Sequence, residues 1–363
     1  MNARTYLRPT AFVDSPFGHD GKVARLAGGL GWFSAVEIIR DENGRITNEL
    51  VEVARIEQTI DDMPPDAEAA WERLTSPRAP LILGERTIRL DQPQVVGIVN
   101  VTPDSFSDGG RHEDPSAAAE AGHAMSAAGA ALVDVGGEST RPGAKPLWEE
   151  DELKRVLPVV EQLARSGTAV SIDTRKAAVM ESALAAGAAL VNDVSALTFD
   201  EHSAELVARA GCPVVLMHHQ GTPETMQQAP HYARPVLLEV YDWLEARIVA
   251  AVAAGIGRTR IIVDPGIGFG KNVQHNLQLL NGLSMLHGLG CPIMLGASRK
   301  RMIGALAGEA PADQRLAGSL ALALKGAEHG VQLLRVHDVP ETVQALRVWR
   351  GMRDSALTPT MTS

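Results

Sequence analysis

Seven short apolar runs in this chain each end on a residue that can bind a ligand or move a proton. These end residues are Asn100, Asp173, Asn192, His218, Asp264, Ser298 and His337. Asp173 and Asp264 follow their runs directly, so we expect both carboxylates to be partly desolvated and in need of hydrogen-bond donors. With Asn192 between them, they could clamp a flat heterocycle that carries several N–H groups, hold a metal, or form a general acid–base pair. The spacing does not choose among these three.

Basic side chains follow the last two apolar runs. They are Arg299, Lys300, Arg301, Arg335 and His337. The 363-residue chain as a whole is acidic, with 34 Lys and Arg against 44 Asp and Glu and a formal net charge of -10. That surface disfavours nucleic acid and anionic membranes as partners, whereas the local basic cluster predicts an anionic substrate.

Two polar loops follow the first two runs. Residues 100–110 hold one Pro, two Gly and five Asp, Ser or Thr side chains, a composition typical of a mobile lid and also of an ordinary Asx-rich turn. Residues 136–143 place Arg141 beside Pro142 and Gly143, a setting in which an Arg meets an anion or stays solvated. We therefore expect an anion site at the second of these loops.

Other chemistries have weaker support. Residues 264–271 lack the spacing of a nucleotide-hydrolase phosphate loop. His218 and His219 have no third ligand at a spacing suited to zinc. No Gly-x-Ser-x-Gly turn of a serine hydrolase is present.

The elements that would position these residues repeat along the chain. Ala-Ala-Gly-Ala-Ala-Leu-Val occurs at 127–133 and at 185–191, each copy reading as a helix end, a Gly and the start of a strand. Eight near-continuous apolar runs alternate with helical stretches, which indicates parallel strands covered on both faces. We predict an α/β fold, a (β/α)8 TIM barrel over residues 79–354, with a doubly wound open sheet as the competing fold. In such a barrel the carboxyl ends of the strands build the active site.

The chain ends differ in character from the barrel. Residues 1–78 predict a small appended N-terminal module of unknown role, with a hairpin turning at 41–44 and a helix from Asp66 to Leu74. A second hairpin at 81–90 leads into the first barrel strand, and 355–363 form a flexible tail. Only Cys212 and Cys291 occur, and neither a signal peptide nor a membrane span is found, so we expect a cytoplasmic protein.

From Leu81 to Met352 the chain resembles the dihydropteroate synthase family of folate biosynthesis. Five segments carry the resemblance in order and spacing: residues 100–110, 136–143, 264–271, 298–300 and 335–338. The resemblance implies condensation of 6-hydroxymethyl-7,8-dihydropterin diphosphate with 4-aminobenzoate, giving 7,8-dihydropteroate and diphosphate, with Mg²⁺ as cofactor. It also implies a homodimer.

The resemblance assigns roles to individual residues. The pterin ring is implied to contact Asp173, Asn192, Asp264, Lys300 and Met217. The diphosphate is implied to contact Asn100, Arg141, Arg335 and His337, with Asn100 also a Mg²⁺ ligand and Asp104 closing over the leaving group. The aminobenzoate site is implied to include Phe106, Pro142, Phe269, Lys300 and Ser298, and the substrate-binding set extends to Thr140 and Arg299.

Two features depart from the family pattern. Arg301 stands where many relatives have Ser, and residues 1–78 have no counterpart in the minimal enzyme. Two other functions fit part of the pattern. A pterin-binding methyltransferase barrel would share the ring clamp without a diphosphate site, and a silent paralogue would bind pterin without turnover.

Overall fold

The computed structural model describes residues 4–60, 62–102, 115–139, 144, 146–222 and 225–358. The N-terminal module opens with a four-stranded antiparallel sheet. Its strands are β1 (Arg4–Val13), β2 (Ala24–Arg25), β3 (Trp32–Glu42) and β4 (Arg45–Glu52), and all pair with β3. The β3–β4 hairpin turns at Asn43 and Gly44, within the predicted turn. Helices α1 (Val53–Ile60) and α2 (Pro65–Thr75) complete the module.

Alternate residues of the module's sheet face two different cores. Leu7, Phe33 and Ile38 pack in a cluster with residues of α1 and α2. Tyr6 and Ile39, one position along their strands, pack into the main core of the barrel. Because successive strand residues point to opposite faces, this alternation fixes the module against the barrel.

Eight parallel strands follow the short hairpin of β5 (Leu81–Leu83) and β6 (Arg86–Ile88). They are β7 (Gln94–Asn100), β8 (Leu132–Gly136), β9 (Val170–Asp173), β10 (Leu190–Asp193), β11 (Val214–Met217), β12 (Ile261–Asp264), β13 (Met294–Leu295) and β14 (Leu333–Val336). Their order is β12-β11-β10-β9-β8-β7-β14-β13.

A narrow seam joins the two end strands. One parallel bridge pairs Val263 with Ile293, and the Val263 N–H donates to the Pro292 carbonyl at 2.9 Å. The sheet is therefore a nearly closed barrel. The (β/α)8 prediction is confirmed and the doubly wound alternative is wrong.

Nine helices occur in the described part from β7 onward. They are α3 (Pro115–Ala128), α4 (Glu149–Arg165), α5 (Ala177–Ala185), α6 (Ser203–Ala210), α7 (Val236–Ala253), α8 (Val273–Asn281), α9 (Arg301–Leu306), α10 (Leu316–Glu328) and α11 (Val339–Ala356). A 3₁₀ helix spans Leu283–Leu289. Within the described ranges no helix has the length and apolar character that crossing a membrane requires.

Each of the two repeated Ala-Ala-Gly segments ends a helix and leads into the next strand. Gly129 and Gly187 follow α3 and α5 with φ near +111° and +110°, a left-handed region that residues with a Cβ rarely adopt. The chain thus leaves each helix and enters the next strand within a few residues. The repeat in the sequence reports the repeat of the βα unit.

The β5–β6 hairpin closes the amino-terminal end of the barrel. Its residues Leu81, Leu83 and Ile88 pack against one inward residue from near the start of each barrel strand. Those residues are Val96, Leu132, Ala169, Leu190, Val215, Ile262, Met294 and Leu333. The opposite end, where the strands finish, remains open.

Candidate active site

A cavity of about 750 Å³ opens at the carboxyl ends of the strands. Asn100 from β7, Asp173 from β9 and Arg335 from β14 line its depth, and Ser298 and His337 line the side that follows β13 and β14. The strand ends therefore bring these five predicted residues to one cavity, as barrel geometry requires.

A buried carboxylate cluster forms one side of the cavity floor. Arg335 Nε donates to Asp134 Oδ2 at 2.6 Å, and Arg335 Nη2 donates to Asp173 Oδ2, also at 2.6 Å. Asn192 Nδ2 donates to the same Asp134 oxygen at 2.9 Å. Burial, opposed by the charge of Arg335, raises the pKa of Asp173 to about 7. Arg335 is thus held by two carboxylates.

Asp134 is one of the residues that sequence reasoning missed. It lies inside β8, fully buried, and it joins Arg335 to Asn192. A charged residue in the middle of an otherwise apolar strand was the available signal, because such a residue needs a partner.

Asp264 and Met217 are buried beneath the cavity lining, under the other side of the floor. They are paired in register at the ends of β12 and β11, and each is only 5% exposed. Asp264 Oδ1 accepts the Gly266 N–H at 2.7 Å, while burial raises the pKa of the Asp264 carboxyl. Gly266 has φ +65°, and a Cβ there would lie 1.9 Å from the His218 carbonyl oxygen. Only glycine fits this turn.

Lys271 fastens the loop that follows Asp264. Its Nζ lies 2.8 Å from His218 Nδ1 and 2.9 Å from the carbonyl oxygens of both Gly266 and Phe269. Burial lowers the pKa of Lys271 well below its ordinary value. This Lys therefore ties the loops after β11 and β12 together, a structural role that the sequence did not reveal.

The rim presents Lys300 and Phe269 as a pair. Lys300 Nζ lies 4.1 Å from the centre of the Phe269 ring, within the range of a cation–π interaction. Both side chains line the cavity.

The side of the rim that follows β13 and β14 is less positive than the count of basic residues predicts. Arg299 Nε donates to Asp338 Oδ2 at 3.1 Å, so its charge is already paired. His337 Nδ1 lies 3.0 Å from Ser298 Oγ, and burial, followed by the charges of Arg335 and Arg299, lowers the pKa of His337 to about 3. Without a ligand this imidazole is neutral at pH 7.

Glu138 anchors the loop after β8. It accepts from Arg175 Nε at 3.0 Å and from the Leu147 N–H at 2.9 Å, and Lys176 Nζ lies 3.4 Å away. Burial opposes ionisation, but these donors together lower the pKa of Glu138. Glu138 is therefore a charged anchor on the cavity wall.

The structure places the predicted site residues unevenly. Asn192, Met217 and Asp264 lie below the cavity wall and not in its lining. Five predicted residues lie outside the described part of the chain: Asp104, Phe106, Thr140, Arg141 and Pro142.

Comparison with known proteins gives one consistent result. Residues 96–337 match the family described as pterin binding enzyme. The chain is 46% identical over 263 residues to the dihydropteroate synthase of Escherichia coli K12, which covers 72% of this chain and 92% of that protein.

Two solved structures match the fold as well. The Yersinia pestis dihydropteroate synthase with a sulfonamide drug complex gives a TM-score of 0.73 at 46% identity, covering 76% of this chain and all of that one. The Xanthomonas albilineans enzyme with 4-aminobenzoic acid gives 0.71 at 49% identity, covering 76% and 98%.

Proposed function

Because the chain belongs to the dihydropteroate synthase family of pterin-binding transferases, we propose that residues of its cavity bind a pterin diphosphate and 4-aminobenzoate. These residues then catalyse the condensation of the two substrates to 7,8-dihydropteroate. The observation that carries the residue assignment is the set of buried acceptors beneath a rim of basic groups. Asp173 and Asp264 are desolvated at the ends of β9 and β12, and Lys300 and His337 stand above them on the β13 and β14 side.

We assign the pterin to the floor. Carboxylates that lack water are strong acceptors for the N–H groups of a flat heterocycle, and Asp173 and Asp264 are such carboxylates. Asn192 adds an amide, and Met217 offers an apolar, polarisable surface beside Asp264. Lys300 completes this set from the rim.

We assign the diphosphate to Asn100, Arg335 and His337, together with Arg141. A bound anion favours the protonated imidazole, so the diphosphate would raise the pKa of His337 and strengthen its own contact. Arg335 keeps its place through Asp134 and Asp173 while its side chain reaches the cavity.

We propose Mg²⁺ as the cofactor, with Asn100 as its protein ligand. Among the described residues no three His, Cys, Asp or Glu side chains lie together as metal ligands. An amide oxygen beside an anionic substrate still fits Mg²⁺, which takes most of its ligands from phosphates and water. When bound, the ion would neutralise charge on the diphosphate.

The protein's part in the reaction is electrostatic. As the CH₂–O bond breaks, negative charge grows on the departing diphosphate, where Arg335 and His337 stabilise it. The neutral amine of 4-aminobenzoate, placed between Phe269, Ser298 and Lys300, then forms the C–N bond. The arylammonium product is acidic enough to lose its proton to solvent or phosphate, so no strong base is required. As the family resemblance implies, Asp104 would close over the diphosphate, Phe106 and Pro142 would frame the aminobenzoate site, and Thr140 would contact a substrate.

The direct test is product formation from dihydropterin diphosphate and labelled 4-aminobenzoate by the full chain, with and without Mg²⁺. We expect dihydropteroate to form only when Mg²⁺ is present.

Asp264→Asn should lower kcat/KM for the pterin substrate about 100-fold, because a charge-assisted hydrogen bond in a dry site is lost. Asp338→Asn, which alters a carboxylate that pairs with Arg299, should stay within about threefold. Full activity in Asp264→Asn would contradict the assignment.

We also propose a cytoplasmic homodimer. Both Cys212 and Cys291 are unpaired, as in a reducing compartment. Val348 and Met352 of α11 are 60% and 64% exposed and lie four residues apart on one helix face. That apolar face would suit a contact with a second copy.

A further inference from the structure

Between β11 and α7, the described residues 219–222 and 225–234 belong to a loop beside the cavity that we call the mouth loop. Of its described residues, Met226, Gln227 and Pro230 line the cavity. Gln227 Nε2 donates to the Gly268 carbonyl at 2.5 Å, and the Tyr232 hydroxyl donates to the Gly270 carbonyl at 2.9 Å. These two bonds grip the backbone on either side of Phe269. The mouth loop therefore fixes the ring that stacks on Lys300.

The last residue of the mouth loop is held by the N-terminal module. Arg234 Nη1 donates to Asp41 Oδ2 at 3.0 Å, and Arg234 Nη2 donates to Asp242 Oδ2 of α7 at 2.6 Å. The Tyr6 hydroxyl of β1 lies 3.0 Å from both oxygens of Asp242, so the module grips α7 as well. Arg234 thus joins the module, the mouth loop and α7.

The burial of these groups makes the link firm. The Asp41 side chain is 8% exposed and the Asp242 side chain is 21% exposed. The Asp41 carboxylate is therefore almost removed from water, and Arg234 is the main charge that compensates for its desolvation. Asp41 Oδ1 separately accepts the Gly44 N–H at 2.8 Å in the β3–β4 turn. One oxygen holds the turn of the module and the other holds the loop of the site.

We propose that the N-terminal module positions the aminobenzoate side of the cavity through Arg234. Arg234 and Asp41 are positioning residues that act through the mouth loop on Phe269. The coupling follows a continuous set of contacts from Asp41 to Phe269. The inference rests on the proposed function, and it gives a role to residues that the family match, which begins at residue 96, leaves out.

The experiment compares two isosteric variants of the full chain. Asp41→Asn keeps the oxygen for the Gly44 turn and replaces the acceptor for Arg234 by a donor. Glu37→Gln is the matched control, because it keeps the acceptor for Asn48 Nδ2 at 2.8 Å and loses an ion pair with Arg8 that lies wholly within the module. Arg234→Met breaks the same link from the side of the loop. The readouts are steady-state kinetics with each substrate, and amide hydrogen exchange of residues 219–234.

Asp41→Asn and Arg234→Met should raise KM for 4-aminobenzoate by about three- to tenfold, the size of a coupling carried through a loop. In both variants kcat and KM for the pterin diphosphate should stay within about twofold, and amide exchange in the mouth loop should accelerate. Glu37→Gln should match the wild type in all three respects. The split between the two KM values separates positioning from a general loss of stability.

Two results would overturn the inference. One is an unchanged KM for 4-aminobenzoate in Asp41→Asn and Arg234→Met while the wild type makes dihydropteroate. The other is unchanged amide exchange in the mouth loop of both variants. If the wild type makes no dihydropteroate, the proposed function fails, and the exchange measurement still decides whether the module holds the loop.

Discussion

At the scale of single residues, the floor of the cavity depends on carboxylates that are largely removed from water. Asp173 shares Arg335 with Asp134, and Asp264 takes its hydrogen bond from the Gly266 N–H. Desolvation favours the protonated acid, whereas the proposed contact with pterin N–H groups needs the carboxylate. The pH dependence of pterin binding therefore follows the protonation state of these carboxyl groups.

Asp173 should produce an acid limb in the pH profile. Its pKa is raised to about 7 by burial, so the acceptor is lost as the pH falls below that value. We expect kcat/KM for the pterin diphosphate to decrease about five- to tenfold between pH 7.5 and 6. Asp173→Asn should be less active and should lack this limb. Since the diphosphate titrates in the same range, the comparison uses one substrate for both proteins, and parallel profiles would contradict the role of Asp173.

Asp134 should matter for both stability and activity. Asp134→Asn removes a fully buried charge from Arg335 and disturbs Asn192, so we expect the free energy of unfolding to fall by about 3 kcal/mol. Activity should fall at least tenfold because Arg335 loses one of its two anchors. Urea unfolding and turnover measure these effects. Asp338→Asn, at the partly exposed Arg299 pair, should cost less than about 1 kcal/mol, and equal losses in the two variants would argue against this account.

At the scale of elements, the sequence predicted the barrel strands because each is a short, continuous apolar run ending in a polar residue. The same logic found Asp173, Asp264, Ser298 and His337. It did not find β1 or α1 of the module. Strand β1 contains Pro9 and several polar residues, and its pairing with β3 is visible only in the folded structure. Most partners of Asp134, Lys271 and Arg234 lie far away along the chain or are backbone carbonyls, and such partners leave no pattern in the sequence.

The hairpin that closes the amino-terminal end should stabilise the barrel without touching the chemistry. Leu81 is 2% exposed against the bottom layer, so Leu81→Ala should lower the free energy of unfolding by about 3 kcal/mol. The adjacent Ile82 is 61% exposed, and Ile82→Ala should change it by less than about 0.5 kcal/mol. Denaturant unfolding tests both. KM should be unchanged in both variants because the cavity lies at the opposite end, and a raised KM in Leu81→Ala would count against this separation.

At the scale of the whole molecule, an acidic protein handles an anionic substrate by placing a few of its basic groups together at one cavity. The chain carries a formal charge of -10, and Arg299 and Arg335 are already paired with carboxylates. Such pairing holds the two guanidinium groups in position before a ligand binds, and it weakens their electrostatic attraction for other anions. Selectivity then follows from fixed geometry more than from net charge.

Buried histidines should make the molecule less stable in mild acid. Burial, followed by the charge of Arg78, lowers the pKa of His287 to about 3 at the contact between the module and the barrel. Below pH 6.5 the unfolded chain binds a proton at His287, whereas the folded protein does not. The free energy of unfolding therefore decreases as the pH falls from 6.5 toward 3. His287 alone accounts for about 2 kcal/mol between pH 6.5 and 4.5.

Urea unfolding at these two pH values checks this. His287→Gln should lose less stability than the wild type over the interval, whereas His202→Gln, at a side chain 76% exposed, should behave like the wild type. An identical loss in His287→Gln and the wild type would show that His287 does not contribute.

The seam between β12 and β13 has a consequence for how the ring of strands moves. Every other neighbouring pair is joined by two or more register positions, but this joint has one bridge, and β13 is only two residues long. We expect a ring of strands to open first at the joint with the fewest pairings. Ser298 and Lys300 follow β13 along the chain and line the cavity. The joint with the fewest pairings therefore lies in the same part of the barrel as two residues that we propose to contact the substrates.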